Sequence, residues 1–154
     1  MTVTWALHRL NGVSSPSNAT YSVAELTYQL QDAEATALFT VVPLLPTALK
    51  AAEAAGIPKD RVFICDMPID SDKMFESPRG FSTVPDLVSQ GQRLGPLEAV
   101  RWAPGQGSRQ SALLCYSSGT TGLPVSTVDA EPYIHHQHKG AKTLKLRWKS
   151  RKVF

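Results

Sequence analysis

The chain has 154 residues, 42% hydrophobic and 19% charged, with 16 Lys and Arg against 13 Asp and Glu for a formal net charge of +3. This length closes one core, which excludes two independent domains; with no apolar run of about 18 residues and no basic-then-apolar leader, neither a membrane span nor an export signal is expected. The charge is uneven: residues 1–124 carry 9 basic and 11 acidic side chains, residues 125–154 carry 7 and 2 together with His135, His136 and His138, so a uniformly basic nucleic-acid-binding domain is excluded.

Val3 to Leu10 has the apolar spacing of the last turns of a helix, closed by Asn11-Gly12. Val13-Ser14-Ser15-Pro16 follows as a short extended piece, and Pro16 confines it to an edge or a loop. Asn18-Ala19-Thr20 matches a glycosylation sequon, which without an export signal is expected to stay unmodified. Ser22 is a good N-cap for a helix from Val23 to about Asp32, since Glu25 completes a capping box and Leu26, Leu30 and Ala33 line one face.

Ala37 to Val42 is a β-branched, apolar run of strand length ended by Pro43. Leu45, Ala48, Leu49, Ala52 and Ala55 then repeat at helical spacing, and Gly56 with Pro58 supplies the stop. Arg61 to Asp66 is the next strand. Helices alternating with strands that are apolar throughout predict an α/β architecture, a mostly parallel sheet covered on both faces.

From Met67 to Gln110 the pattern dissolves into Pro, Gly, Asp and Ser, with one helical candidate at residues 84–89. Asp66, Asp70 and Asp72 read as loop carboxylates because the glycine and glutamate of a calcium loop are missing. Cys65 and Cys115 each close a short apolar run and are expected as buried, reduced thiols, with neither CxxC nor zinc spacing. His8 fits a capping or core role, and Trp5 and Trp102 are packing candidates.

Ser111 to Tyr116 is an apolar strand that runs into Ser117-Ser118-Gly119-Thr120-Thr121-Gly122-Leu123-Pro124. Glycines let backbone N–H groups turn inward while hydroxyls add donors, a combination that cradles phosphates. By composition a plain Ser/Gly connector fits equally well, and the strand ahead favours the nucleotide site. The Walker pattern has no match.

Tyr116 to Pro124 resembles the phosphate-binding signature of the adenylate-forming (AMP-binding) superfamily, which includes acyl-CoA synthetases, coumarate:CoA ligases and luciferases. Trp5 to Asn18 and Tyr21 to Leu30 are similar to the family segment in which a helix ends, an extended piece reaches an SPxN turn and the next helix follows. The resemblance covers about residues 3–124 and implies an incomplete α/β unit of the large N-terminal domain. It further implies a two-step reaction, in which a carboxylic acid, aromatic or fatty, attacks the α-phosphate of ATP carried with magnesium, and CoA then displaces AMP. By this resemblance Ser117, Ser118, Gly119, Thr120, Thr121 and Gly122 hold the β- and γ-phosphates through hydroxyls and amides.

Where the family signature continues with a lysine after Gly-Leu-Pro, this chain has Val125-Ser126-Thr127. The family's magnesium and ribose motifs, its hinge and its C-terminal catalytic lysine have no counterpart in residues 125–154. The chain is therefore expected to be a fragment, inactive as a ligase and with no catalytic residue assigned, in two parts: 1–124 from the AMP-binding domain, and 125–154 a disordered basic tail. Motif and charge break together at residue 125, which points to a retained intron or a shifted frame. Other readings are a noncatalytic remnant or pseudoenzyme with weak nucleotide contact, and nonspecific nucleic-acid binding through the Lys142–Lys152 stretch. A solvated tail without a metal site, no specific nucleic-acid partner, and a cytoplasmic location are expected. Relatives of this kind can be peroxisomal, but Lys152-Val153-Phe154 is not a peroxisomal tripeptide.

Overall fold

The computed structural model describes residues 2–66, 78–98, 101, 103–106, 110–118 and 124–129. In chain order the elements are α1 (Thr2–Arg9), α2 (Val23–Asp32), β1 (Leu38–Thr40), α3 (Leu45–Ala54), β2 (Val62–Ile64), α4 (Val84–Gly91), β3 (Leu113–Ser118) and β4 (Pro124–Asp129). Single 3-10 turns at Val42–Leu44 and Lys59–Arg61 lead into α3 and β2.

Helix boundaries follow local chemistry. Ser22 caps α2 by accepting from the Glu25 amide at 3.3 Å, and Glu25 accepts in return from the Ser22 amide at 2.8 Å. Thr83 and Asp86 repeat this box at the start of α4. Three helices end in the same paired motif, with one amide reaching back five residues and its predecessor three: Gly12 and Asn11 on α1, Ala35 and Glu34 on α2, Ile57 and Gly56 on α3. The residue that turns the chain has φ of 60° at Asn11, 49° at Glu34 and 76° at Gly56. Asparagine and glycine tolerate that left-handed conformation, whereas Glu34 carries a steric cost.

The α/β expectation holds in its pairing. β1 and β2 run parallel in the register Leu38↔Val62, Phe39↔Phe63, Thr40↔Ile64. Both are shorter than the apolar runs suggested, and at β1 Pro43 opens a helical turn that takes the backbone out of the ladder. Val62 and Ile64 pack with Leu26, Leu30, Leu45, Ala51, Ala52 and Ile57 in a core between the strands and helices α2 and α3. The other strand face is only half-covered, with Phe39 and Phe63 stacked across the ladder at 4.9 Å between ring centroids.

A partly open pocket adjoins the core. A cavity of about 350 Å³ is bordered by Leu7 of α1, Ser14–Ala19, Leu26 and Leu30 of α2, and Phe39 of β1. Asn11 Oδ1, Ser14 Oγ and Gln29 Oε1 are buried without a hydrogen-bond partner. Unpaired buried polar atoms subtract from stability.

Several expectations need correction. Trp5 is 67% exposed and meets the His8 ring edge-on, because α1 turns its opposite side, with Leu7, toward the protein. Cys65 and Cys115 are reduced, as expected, but only half-buried, Cys65 lying just past the last paired residue of β2. β3 and β4 form a separate antiparallel pair, for which the mostly parallel expectation leaves room, and strand pairing runs through Asp129, past the expected boundary at residue 124. Cross-strand pairing, and not apolar content, orders Val125–Asp129. Trp102, Asp70, Asp72 and residues 130–154 lie outside the described residues.

Candidate phosphate-binding site

β3 and β4 pair along their whole length, from Leu113↔Asp129 to Ser117↔Val125 and Ser118↔Pro124. Residues 119–123 therefore join two strand ends that are hydrogen-bonded neighbours. Of the six residues expected to contact phosphate, Ser117 and Ser118 form the end of β3, and Gly119, Thr120, Thr121 and Gly122 lie outside the described residues. The register also puts Val125, where the resembling family has lysine, opposite Ser117 at the base of this loop.

The strand feeding the loop is held from its other side by segments distant in sequence. Ser14 lies parallel to it, with its amide donating to Ala112 O at 3.0 Å and its carbonyl accepting from the Leu114 amide at 2.9 Å. His8 Nε2 is 3.1 Å from the same Ala112 O, so the histidine ties α1 to β3. Ser15 Oγ donates to Leu114 O at 3.1 Å, and Gln29 Nε2 donates to Ser15 Oγ at 2.8 Å and to Pro16 O at 3.1 Å. Leu114 packs on Val13 and Ala33.

Tyr116, adjoining Ser117, donates its hydroxyl to Asp32 Oδ2 at 2.7 Å. Burial first, then this hydrogen bond and the Asp32 charge, push the Tyr116 hydroxyl far above its ordinary value, so it stays a donor. The sequence offers little notice of these contacts. Tyr116 is visible there only as the residue before the motif, and nothing local marks Ser15, Gln29 or Asp32, whose partners lie 84 to 99 positions away for Ser15 and Asp32.

The family model described as AMP-binding enzyme matches residues 1–125. The chain belongs to the AMP-binding enzyme family. Among curated members, the acyl-CoA ligase cm3C of Cordyceps militaris is 39% identical over 121 residues, covering 77% of this chain and 19% of that protein. The acyl-CoA ligase easD of Emericella nidulans is 31% identical over 118 residues, covering 77% of this chain and 21% of that protein. The chain spans about a fifth of the length of these AMP-binding relatives. Among solved structures, the anthranilate CoA ligase AuaEII in complex with anthranoyl-AMP matches 84% of this chain and 22% of its own, with a TM-score of 0.63 at 20% identity. A red-emitting luciferase from Phrixothrix hirtus matches 74% and 20%, with a TM-score of 0.53 at 24% identity. These likenesses show the fold of adenylate-forming enzymes, an α/β unit whose parallel strands β1 and β2 carry helices. The Ser/Thr/Gly segment lies within the matched region, whose end at residue 125 is the second residue of β4.

Proposed function

We propose that the chain carries the triphosphate-gripping segment of an AMP-forming carboxylic acid:CoA ligase and, as it stands, holds ATP weakly without activating an acid. The observation that carries this reading is the Ser118↔Pro124 pairing, which anchors both ends of a Ser/Thr/Gly loop on adjacent strands. Pairing of the flanking strands brings the two ends of the segment together, and its glycines and hydroxyl residues are the types that supply amide and hydroxyl donors to a polyanion. In the proposal Ser117, Ser118, Thr120 and Thr121 offer hydroxyls, and Gly119 and Gly122 let backbone N–H groups approach the β- and γ-phosphates.

Their work is positioning and charge stabilisation while a carboxylate attacks the α-phosphate. Magnesium would reach the site on the nucleotide: among the described residues no group of three or more His, Cys, Asp or Glu is placed to hold a metal ion. When bound, it supplies charge neutralisation of the phosphates. CoA is the thiol acceptor of the family reaction and has no assigned residues here. Aromatic and fatty acids are the proposed substrate class of the whole ligase, after the acyl-CoA and anthranilate ligases that the chain resembles.

Val125 sets the limit on activity. Where a lysine would bring an ammonium to the phosphates, the second residue of β4 is apolar and carries no charge to offset the developing pyrophosphate. No described helix is long and apolar enough to cross a membrane, and we place the protein in the cytosol. Calorimetry with ATP and magnesium should show weak, saturable binding that is lost when Thr120 and Thr121 are replaced by valine. ATP–pyrophosphate exchange with aromatic or fatty acids should be absent. Binding unaffected by those replacements would sink the assignment of the loop, and measurable exchange would sink the proposed inactivity.

A further inference from the structure

Beside the Ser14 backbone and His8, one face of α2 also grips β3. Gln29 and Asp32 stand three positions apart on α2 and so share a side, and each reaches the strand, Gln29 through Ser15 to Leu114 O and Asp32 directly to Tyr116. The two attachments meet β3 at alternate residues, Leu114 and Tyr116, immediately before Ser117. Gln29 is 1% exposed, so its amide is committed to this role and has no water to return to. Asp32 is exposed at the C-terminal end of α2, where the helix dipole disfavours a negative charge. Helix stability therefore does not account for an acid there, and the Tyr116 contact does.

We infer that Gln29, Asp32 and Tyr116 are positioning residues that clamp β3, the strand leading into the Ser/Thr/Gly segment, to α2 and so set where that segment starts. β4 holds one edge of the strand, but a two-stranded hairpin is marginal by itself in water. What sets the hairpin against the rest of the molecule is the opposite side, where Ser14 and the α2 clamp sit. The inference rests on the nucleotide reading for its consequence, and the clamp can be tested separately from it.

The test uses the full 154-residue chain with Tyr116→Phe, Asp32→Ala and Asp32→Asn, followed by amide hydrogen exchange and by calorimetry with ATP and magnesium. Tyr116→Phe keeps the ring and its packing while removing the donor; Asp32→Asn keeps an acceptor for it. Tyr116→Phe and Asp32→Ala should speed exchange in residues 113–118 by about fivefold, as the loss of a net 1 kcal/mol hydrogen bond gives, and leave α2 and α3 unchanged. Asp32→Asn should restore most of the protection. Both disruptive variants should weaken ATP binding by a similar factor at unchanged thermal midpoint for the α2–α3 core. Equal acceleration across α2, α3 and β3 would reveal general destabilisation and overturn the clamp, as would no change at β3 or no recovery with Asp32→Asn. A parent chain that fails to bind ATP would refute the nucleotide reading, while the exchange pattern would still decide the clamp.

Discussion

Replacing Ile64 by alanine measures how far the fold depends on the core between β2 and the two helices behind it. Ile64 is 1% exposed and packs among Leu26, Leu30, Leu45, Ala51, Ala52, Ile57 and Val62. Backbone confines it on both sides: Thr40 of β1 is its register partner, and its own amide donates to Ser82 O at 3.0 Å. The substitution deletes three carbons, which at about 0.8 kcal/mol per buried methylene is roughly 2.4 kcal/mol of lost transfer. A hole walled by hydrogen-bonded strands collapses poorly, and the cavity left behind raises the cost to about 3–4 kcal/mol. Ile64→Val should cost about 1 kcal/mol.

A domain of ordinary stability has about 5–15 kcal/mol to lose. The unpaired buried oxygens of Asn11, Ser14 and Gln29 subtract from that, so Ile64→Ala should remove a large share of the stability. Urea titration followed by far-ultraviolet circular dichroism should order the midpoints parent, Ile64→Val, Ile64→Ala at similar slopes. Trp5→Ala is the control, because that ring is 67% exposed and should matter by no more than about 0.5 kcal/mol. If Ile64→Ala cost less than about 1 kcal/mol, or no more than Trp5→Ala, the β2 core would not be what holds the fold and the reasoning would fail.

Other outcomes follow from single features. Glu34→Gly should stabilise the chain by about 0.5–1 kcal/mol, because glycine relieves a side chain held at φ 49° at the end of α2; a loss in thermal midpoint would contradict the strain. Acid should weaken α2 and α4, since hydrogen bonds from Ser22 and Thr83 hold the carboxyls of Glu25 and Asp86 below their ordinary 4.5 and 3.8. That stabilisation is complete above those values and disappears as the pH falls through the lower folded ones, so Glu25→Gln should flatten the melting profile below about pH 5. Burial, then the neighbouring Asp66 charge, pushes the Cys65 thiol up. Alkylation of Cys65 at about pH 8 should thus lag behind an unfolded control, and Asp66→Asn should speed it. Val125→Lys should tighten binding of ATP with magnesium about fivefold and make it salt-sensitive, and an unchanged affinity would separate this position from the phosphates.

Helix ends were the most legible part of the chain because capping is local chemistry. Ser22 and Glu25 sit three residues apart and satisfy each other's backbone groups, and Gly56 meets the left-handed turn after α3 without a steric cost. The second box, Thr83 with Asp86, obeys the same rule and extends the short candidate at residues 84–89 to Gly91. Strand lengths were less legible: an apolar run reports burial, while a ladder also needs a partner in register, and Pro43 ended β1 early. β4 shows the same limit, because Pro124–Asp129 carries no apolar pattern and is a strand through its pairing with β3. For the candidate site, the Ser/Thr/Gly composition and the family were readable from contiguous residues.

By itself the sequence determined the helices, their caps, the α/β alternation and the residue types of the Ser/Thr/Gly loop, since each depends on groups within a few positions of one another. Only the tertiary structure decided what the loop hangs from. The Tyr116–Asp32 bond and the Gln29–Ser15–Leu114 chain join residues separated by much of the chain, and such contacts exist only once packing has brought α2 against β3.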